Sequence, residues 1–436
     1  MITTTVLDND ITREFESFEK KSDVLADLRE DALNTFNRLG FPTTRHEEWK
    51  YTNVKDVVSH PLEFSPKPVI EKITQNQIES LRIGGKNALV LVFINGIYNY
   101  ALSDKLPQGK IKINNLAAEI ASGNAQNFIG KISSHENESF VALNTAFVTD
   151  GIFIHVPEKE VSEQPIHFMH IGSSESPSLV ATIRNVIVAE KNSKVSVIES
   201  YHATDPASRH FCNTVTDVLV KENATVELVK AQLDSENSSH ISFTQVIQER
   251  NSTFDTVTVT LWGNFVRNNL HIKMNDVNCT SHLFGLYILD GDQLVDNHTL
   301  VDHAMPNCFS NELYKGIIGG SASGVFNGKI FVRKDAQKTN AYQSNKNILL
   351  TDDAQMNTKP QLEIFADDVK CTHGATTGQI DEDALFYLRA RGIGEHSARA
   401  LLNIAFAGDV LNNIKNETLR ENLLNLAVAK LRNDEI

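Results

Sequence analysis

Between residues 140 and 380 the chain repeats one local pattern: a short run of Val, Ile, Thr and Phe, then a polar corner carrying asparagine. Four corners look alike: Glu190-Lys191-Asn192-Ser193, Lys221-Glu222-Asn223-Ala224, Glu249-Arg250-Asn251-Ser252 and Asp276-Val277-Asn278-Cys279. Their asparagines stand 31, 28 and 27 residues apart. Asparagine tolerates the left-handed backbone conformation that a tight corner needs. Strand-like segments such as 215–220 and 225–229 flank the corners. Short strands recurring at this period, with almost no helical periodicity between them, predict the stacked coils of a β-helix. An antiparallel sandwich also strings short strands between polar turns and is the competing architecture.

Outside that stretch the period changes. Leu25, Leu28, Ala32, Phe36 and Leu39 recur at three- and four-residue steps, which places them on one helix face, with Gly40 and Pro42 as the stop. Arg45-His46-Glu47-Glu48-Trp49-Lys50-Tyr51-Thr52 follows, a charged stretch with one of the two tryptophans. Between Ala88 and Leu102 the pattern reads strand–turn–strand, with Asn95-Gly96 suited to a type I′ hairpin. Residues 106–135 match neither period. After Gly378 the helical period returns. Asp381 caps a helix through Leu385, Leu388 and Ala390 that Gly392 ends. A second helix carries Ala398, Leu401, Leu402, Ala405 and Phe406, and a third carries Leu419, Leu423, Leu426 and Leu431. Three regions result: 1–139 helical and mixed, 140–380 solenoid, and 381–436 helical. The last, about 55 residues, is too small for a robust core of its own and must pack on the solenoid or a partner.

The formal net charge of −14 sets an acidic surface against phosphate backbones and anionic lipid, so nucleic acid and membranes are not expected partners. The purest apolar run, Ala88 to Ile94, is far short of the roughly 20 residues that span a bilayer. The first residues, MITTTVLDND, show neither a basic nor an apolar signal region, and the expected location is the cytoplasm. Cys212, Cys279, Cys308 and Cys371 are widely spaced without a CxxC, which fits free thiols in a reducing compartment.

Several motifs fall short of chemistry. Gly324 to Ile330 (GVFNGKI) is one residue short of a phosphate-binding loop and lacks the Ser or Thr for magnesium; a glycine turn explains it better. His167 and His170 follow Pro165 among β-branched residues, so they sit on a strand and face opposite ways. Gly392-Ile393-Gly394 with Arg389, Arg391 and Arg399 has the outline of a helix-hairpin-helix phosphate contact, but Glu395 and the single copy favour a plain helix–helix turn. The densest group of metal-capable side chains is Asp367 to His373. On a strand, Cys371 and His373 share a face, about 7 Å apart at the backbone. Thiolate and imidazole suit iron, zinc or copper, yet two ligands do not close a site, and a buried thiol beside a hydrogen-bonded histidine is the alternative.

Read in order, Tyr314-Lys315-Gly316, GVFNGKI at 324–330, DAQKT at 335–339, NILL at 347–350, LEIFADDVKCTHGAT at 362–376 and LFYLRARGI at 385–393 resemble the SufB/SufD family. Glu47-Glu48-Trp49-Lys50-Tyr51-Thr52 is similar to the N-terminal signature of SufD members. SufB members typically read His-Glu-Ala-Thr where this chain has His373-Gly374-Ala375-Thr376, which makes the SufD branch the better match. The resemblance implies a right-handed parallel β-helix core with helical ends and no catalysis by the chain itself. It implies a SufB-like partner, a SufC-like ABC ATPase, and a transient iron–sulfur cluster at the heterodimer interface, held by a cysteine of the SufB-like chain and the histidine matching His373. Cys371, on the same strand face, is the less certain metal candidate of this chain. Reduced flavin is a further cofactor proposed for the family complex. Leu401, Leu402, Ala405 and Phe406 are the expected anchor for the ATPase, laid into a groove. A solenoid end leaves unpaired strand groups, so without its partner the chain is expected to form a homodimer. The rival classes are a β-helix carbohydrate-active enzyme, disfavoured by the absent secretion signal, and a helix-hairpin-helix nucleic-acid binder.

Overall fold

The asparagine corners turn as their chemistry requires. In the computed structural model φ is +58° at Asn192, +57° at Asn223, +57° at Asn251 and +61° at Asn278. Asn307 (+62°), Lys338 (+59°) and Lys159 (+66°) are further left-handed corners in the same region. The four stack into a ladder: the Nδ2 groups of Asn223, Asn251 and Asn278 each donate to Oδ1 of the asparagine one coil earlier, at 3.0 Å. The structure describes residues 4–64, 73–173, 178–205 and 209–433. Residues 1–3, 65–72 and 434–436 of the expected terminal regions lie outside the described residues.

The chain opens with helices α1 (Thr4–Ser17) and α2 (Ala26–Leu39), then the short α3 (Lys55–Val58) and α4 (Gln75–Ser80). Strands β1 (Leu89–Ile94) and β2 (Ile97–Tyr98) form the expected hairpin, with φ of +50° at Asn95 and +80° at Gly96. Strand β3 (Lys112–Asn115) and helices α5 (Leu116–Ala121) and α6 (Ser139–Phe147) follow. Helix α6 falls where no helical period is visible. From Phe140 to Phe147 every residue is buried, and a helix buried all round carries no amphipathic stripe.

The solenoid strands begin with β4 (Ile152–Val156), β5 (Ile166–Gly172), β6 (Val180–Ala189), β7 (Lys194–Ala203), β8 (Phe211–Val220) and β9 (Thr225–Gln232). They continue with β10 (Ser239–Gln248), β11 (Thr253–Thr260), β12 (Phe265–Met274), β13 (Thr280–Leu289) and β14 (Leu294–His303). The series ends with β15 (Phe309–Ile318), β16 (Ser323–Val332), β17 (Asn340–Leu349), β18 (Gln355–Ile364) and β19 (Lys370–Gly378). Helices α7 (Glu382–Ala390), α8 (Glu395–Leu411) and α9 (Glu417–Asn433) complete the described chain.

Odd strands from β5 to β19 stack in one sheet and even strands from β4 to β18 in the other. The result is a parallel β-solenoid of about eight turns. Its two ends are finished differently. At the N-terminal end, β2 lies antiparallel on β1 and β3 antiparallel on β4, closing both sheets. At the other end β18 and β19 are the last strands, and among the described residues nothing pairs with their outer edges.

Parallel pairing in register stacks like positions into columns, and the apolar columns fill the space between the sheets. Two glycines are required by neighbouring rings. Gly285 pairs with Tyr314 and Tyr287 with Gly316 on adjacent strands, and a Cβ on either glycine would come within 2.2 Å of the opposite ring. Gly324 and Gly328 also lie inside a strand, β16, and not in the turn expected for them; a Cβ at Gly324 would meet Ile318 and Met356 at 2.8 Å. The N-terminal helices and α6 cover the outer face of the even sheet through Phe36, Trp49 and Phe140 against Phe211, Ile241 and Phe265. Helices α8 and α9 cover the odd sheet, with Val410, Leu411, Leu419 and Leu423 against Val229, Val257 and Leu286.

Candidate functional site

Cys371 and His373 lie on β19, the terminal strand of the odd sheet. Cys371 is in register with Ala341 and His373 with Gln343, both buried and inward-facing on β17. The two side chains therefore share the inward face, as the two-residue period predicts. Among the described residues no further coil covers them: Cys371 is half-buried and His373 exposed. Cys371 packs against the small apolar group around Ile330, Val332 and Ala336, and burial pushes its thiol up. A thiol raised in this way resists becoming the thiolate, the form in which cysteine binds a metal. Among the described residues no three His, Cys, Asp or Glu side chains converge on one point. The imidazole and thiol fit iron in kind and fall short in number.

The C-terminal helices form where expected. Asp381 Oδ1 accepts from the N–H groups of Asp383 and Ala384, and Gly392 turns the chain with φ +85°. On α8, Leu401 (48% exposed) and Ala405 face solvent. Leu402 and Phe406 are half-buried, and the Lys315 ammonium lies 4.0 Å from the centre of the Phe406 ring. The anchor stripe is thus divided, half toward the solenoid and half outward. On the adjoining α7, Phe386 (73%) and Tyr387 (55%) are also exposed. The arginines near the Gly392 turn are engaged locally: Arg389 and Arg399 pair with Glu395 at 3.1 and 3.2 Å, and Arg391 lies over the Tyr387 ring.

His167 and His170 take opposite faces of β5. His167 Nε2 meets Ser200 Oγ at 2.7 Å, while His170 stacks on Tyr201 inside the solenoid. Burial holds both rings down to about 3, so they stay neutral at any physiological pH.

Two family models cover nearly all of this architecture. The SufBD protein N-terminal region matches residues 12–168, and the SufBD core domain of SUF-system FeS cluster assembly matches residues 170–406. The chain belongs to the SufBD family. It is 33% identical to an iron–sulfur cluster assembly SufBD family protein of Synechocystis, over 92% of this chain and 90% of that one. It is 28% identical to the iron–sulfur cluster assembly protein SufD of Escherichia coli, over 93% of each chain. It is 29% identical to the chloroplastic protein ABCI7 of Arabidopsis thaliana, over 91% of this chain and 84% of that one.

In this SufBD chain Gly374 is not demanded by the backbone. Its φ lies outside the left-handed region and nothing stands within 4 Å of where a Cβ would be. A Cβ would therefore fit at this position. No helix among the described residues is long and apolar enough to cross a membrane. The SufD-like signature at Glu47 to Thr52 makes contacts that spacing alone could not reveal. Glu47 pairs with Lys359, Glu48 accepts from Asn327 at 3.2 Å, Trp49 lies 3.7 Å beneath the Arg267 guanidinium, and Thr52 bonds Asp296.

Proposed function

We propose that this chain is a SufD-type, non-catalytic scaffold subunit of a cytoplasmic SUF-type assembly complex. It pairs with a SufB-like chain through the C-terminal end of the solenoid and docks a SufC-like ABC ATPase through its C-terminal helices. The nascent iron–sulfur cluster is the cargo, held where the two scaffold chains meet, with His373 as this chain's principal ligand and Cys371 as the second.

The observation that supports the reading most directly is the difference between the two ends. One end is closed by antiparallel strands and the other presents bare edges on β18 and β19. A bare parallel edge offers unpaired N–H and C=O groups to another chain of the same architecture. His373 and Cys371 lie at that end, and a site with two donors is completed by donors from the covering chain. For the ATPase, exposed Leu401, Ala405, Phe386 and Tyr387 offer apolar surface beyond the solenoid. Reduced flavin belongs to the reading as a second cofactor of the complex, and a homodimer through the bare end as the state of the chain alone.

His373→Ala should leave the complex assembled and abolish cluster accumulation on it. Accumulation at the wild-type rate would remove the ligand role. A chain ending at residue 393 should keep its β-rich circular dichroism and lose the ATPase; if the ATPase stays bound, its dock lies elsewhere. Sedimentation of the isolated chain as a clean monomer at high concentration would count against pairing through the bare end. Anaerobic purification of the complex followed by exposure to air, with no oxidised-flavin absorbance appearing, would remove the flavin.

A further inference from the structure

Glu312, Gln343 and His373 occupy one register position on β15, β17 and β19. They form a single inward-facing column that runs from the packed interior to the exposed end. Gln343 Nε2 donates to Glu312 Oε2 at 2.8 Å, which fixes the amide. The other amide atom, Gln343 Oε1, is buried, and among the described residues nothing donates a hydrogen bond to it. Across the interior, Gly328 on β16 leaves room for this amide: a Cβ there would stand 2.4 Å from Gln343 Nε2 and 2.9 Å from Cδ. The glycine of the GVFNGKI motif is thus explained by a polar side chain on the facing sheet. A buried acceptor without a donor costs about 1–3 kcal/mol, and His373, one strand further along the column, carries a donor. In-register neighbours on adjacent strands are about 4.8 Å apart, within reach of a side-chain hydrogen bond.

We propose that Gln343 is a positioning residue for His373, held in place by Glu312 and Gly328. Its Oε1 accepts the proton of one ring nitrogen, which selects the tautomer and leaves the other nitrogen's lone pair directed out of the open end. Metal-ligating histidines commonly donate their second N–H to a carbonyl or carboxylate, and this column supplies that acceptor from within the fold. The inference deepens the reading of His373 as a cluster ligand and rests on it.

The test is ring nitrogen NMR on the full chain labelled with 15N-histidine, with the His373 signals assigned by their loss in His373→Gln. The wild-type ring should show a single neutral tautomer. Gln343→Leu should convert it to a mixture, and Gly328→Ala, which displaces the amide from the opposite sheet, should do the same. Circular dichroism and the exchange protection of the asparagine ladder serve as folding controls. A wild-type ring already in a tautomer mixture overturns the proposal without any variant, as do ring shifts unchanged in Gln343→Leu. These outcomes are independent of the cluster. If His373→Ala still accumulates cluster while Gln343→Leu frees the ring, the ligand reading fails and the positioning stands. If His373→Ala abolishes accumulation and the ring is indifferent to Gln343, the reverse holds.

Discussion

Lys315 is the most informative point at which to loosen the C-terminal helices. It points outward from β15 and is almost fully covered by α8: its side chain is 3% exposed. Its ammonium pairs with Asp409, donates to the Phe406 carbonyl at 3.2 Å and lies over the Phe406 ring. Lys315→Met keeps the stem's packing and removes these three contacts. Asp409 is 63% exposed, so the ion pair contributes at most about 1 kcal/mol. The cation–π contact adds roughly 1 kcal/mol, and the bond to a helix carbonyl less, since that carbonyl already serves the helix. Relief from burying the ammonium offsets part of this, so the net loss is about 1–2 kcal/mol. The loss should appear as local opening, because α8 meets the solenoid on one face only. Hydrogen exchange of the α8 amides should accelerate roughly 5- to 30-fold while β13 and β15 keep their protection. Unchanged α8 exchange would show that the lysine does not hold the helix. Equal acceleration in the sheet would show that the module does not open separately.

Arg184 and Asp217 form a fully buried pair at 2.7 Å, with Ser133 and Thr145 also bound by the guanidinium. Arg184→Met strands the carboxylate and should cost about 3–5 kcal/mol in urea unfolding; a loss below 1 kcal/mol would contradict the pairing. Gly316→Ala forces a methyl into the Tyr287 ring and should cost about 1–3 kcal/mol or more, whereas Gly374→Ala should stay within about 0.5 kcal/mol. Burial raises the Glu312 carboxyl from 4.5 to about 7. Between those values the folded chain holds a proton that the unfolded chain has released, so this group lowers stability as pH rises, by up to roughly 3 kcal/mol at neutrality. Glu312→Gln should remove that slope, and identical pH profiles for the two proteins would clear Glu312 of it.

What was legible in the sequence follows from which interactions are local. The asparagine corners could be read because a left-handed φ selects the residue that adopts it, and Asn192 to Asn278 obey that rule. Lys159 and Lys338 take the same conformation without the signal, since the stacking coils impose it. Cys371 and His373 could be placed on one face because the strand period is local. Their surroundings could not. A strand's polar residues read as solvent-facing, yet this interior carries Glu199, Lys230, Gln232 and Glu312, all buried. Only the register between coils reveals that Gln343 lies beside His373. Gly328 was misread for the same reason, its partner being on the opposite sheet.

The segment Glu47 to Thr52 bears on how a solenoid can keep one end bare. Stability in such a fold is close to a sum of nearest-neighbour terms, so a terminal coil, with a neighbour on one side only, is the first to fray. Here the outer face of the even sheet is gripped across four consecutive strands by one short piece of the N-terminal region. Trp49 meets Arg267 on β12, Thr52 and Glu48 meet Asp296 and His298 on β14, Glu48 meets Asn327 on β16, and Glu47 reaches Lys359 on β18. The Arg267–Asp296 pair beneath is buried, so its polar neighbours are not interchangeable surface contacts. The last even strand is therefore secured from outside, by residues about 300 positions earlier, while its edge and the inward face of β19 stay uncovered. An end held this way can remain ordered and still present its edge, His373 and Cys371 to another chain, which a cap laid across the end would prevent.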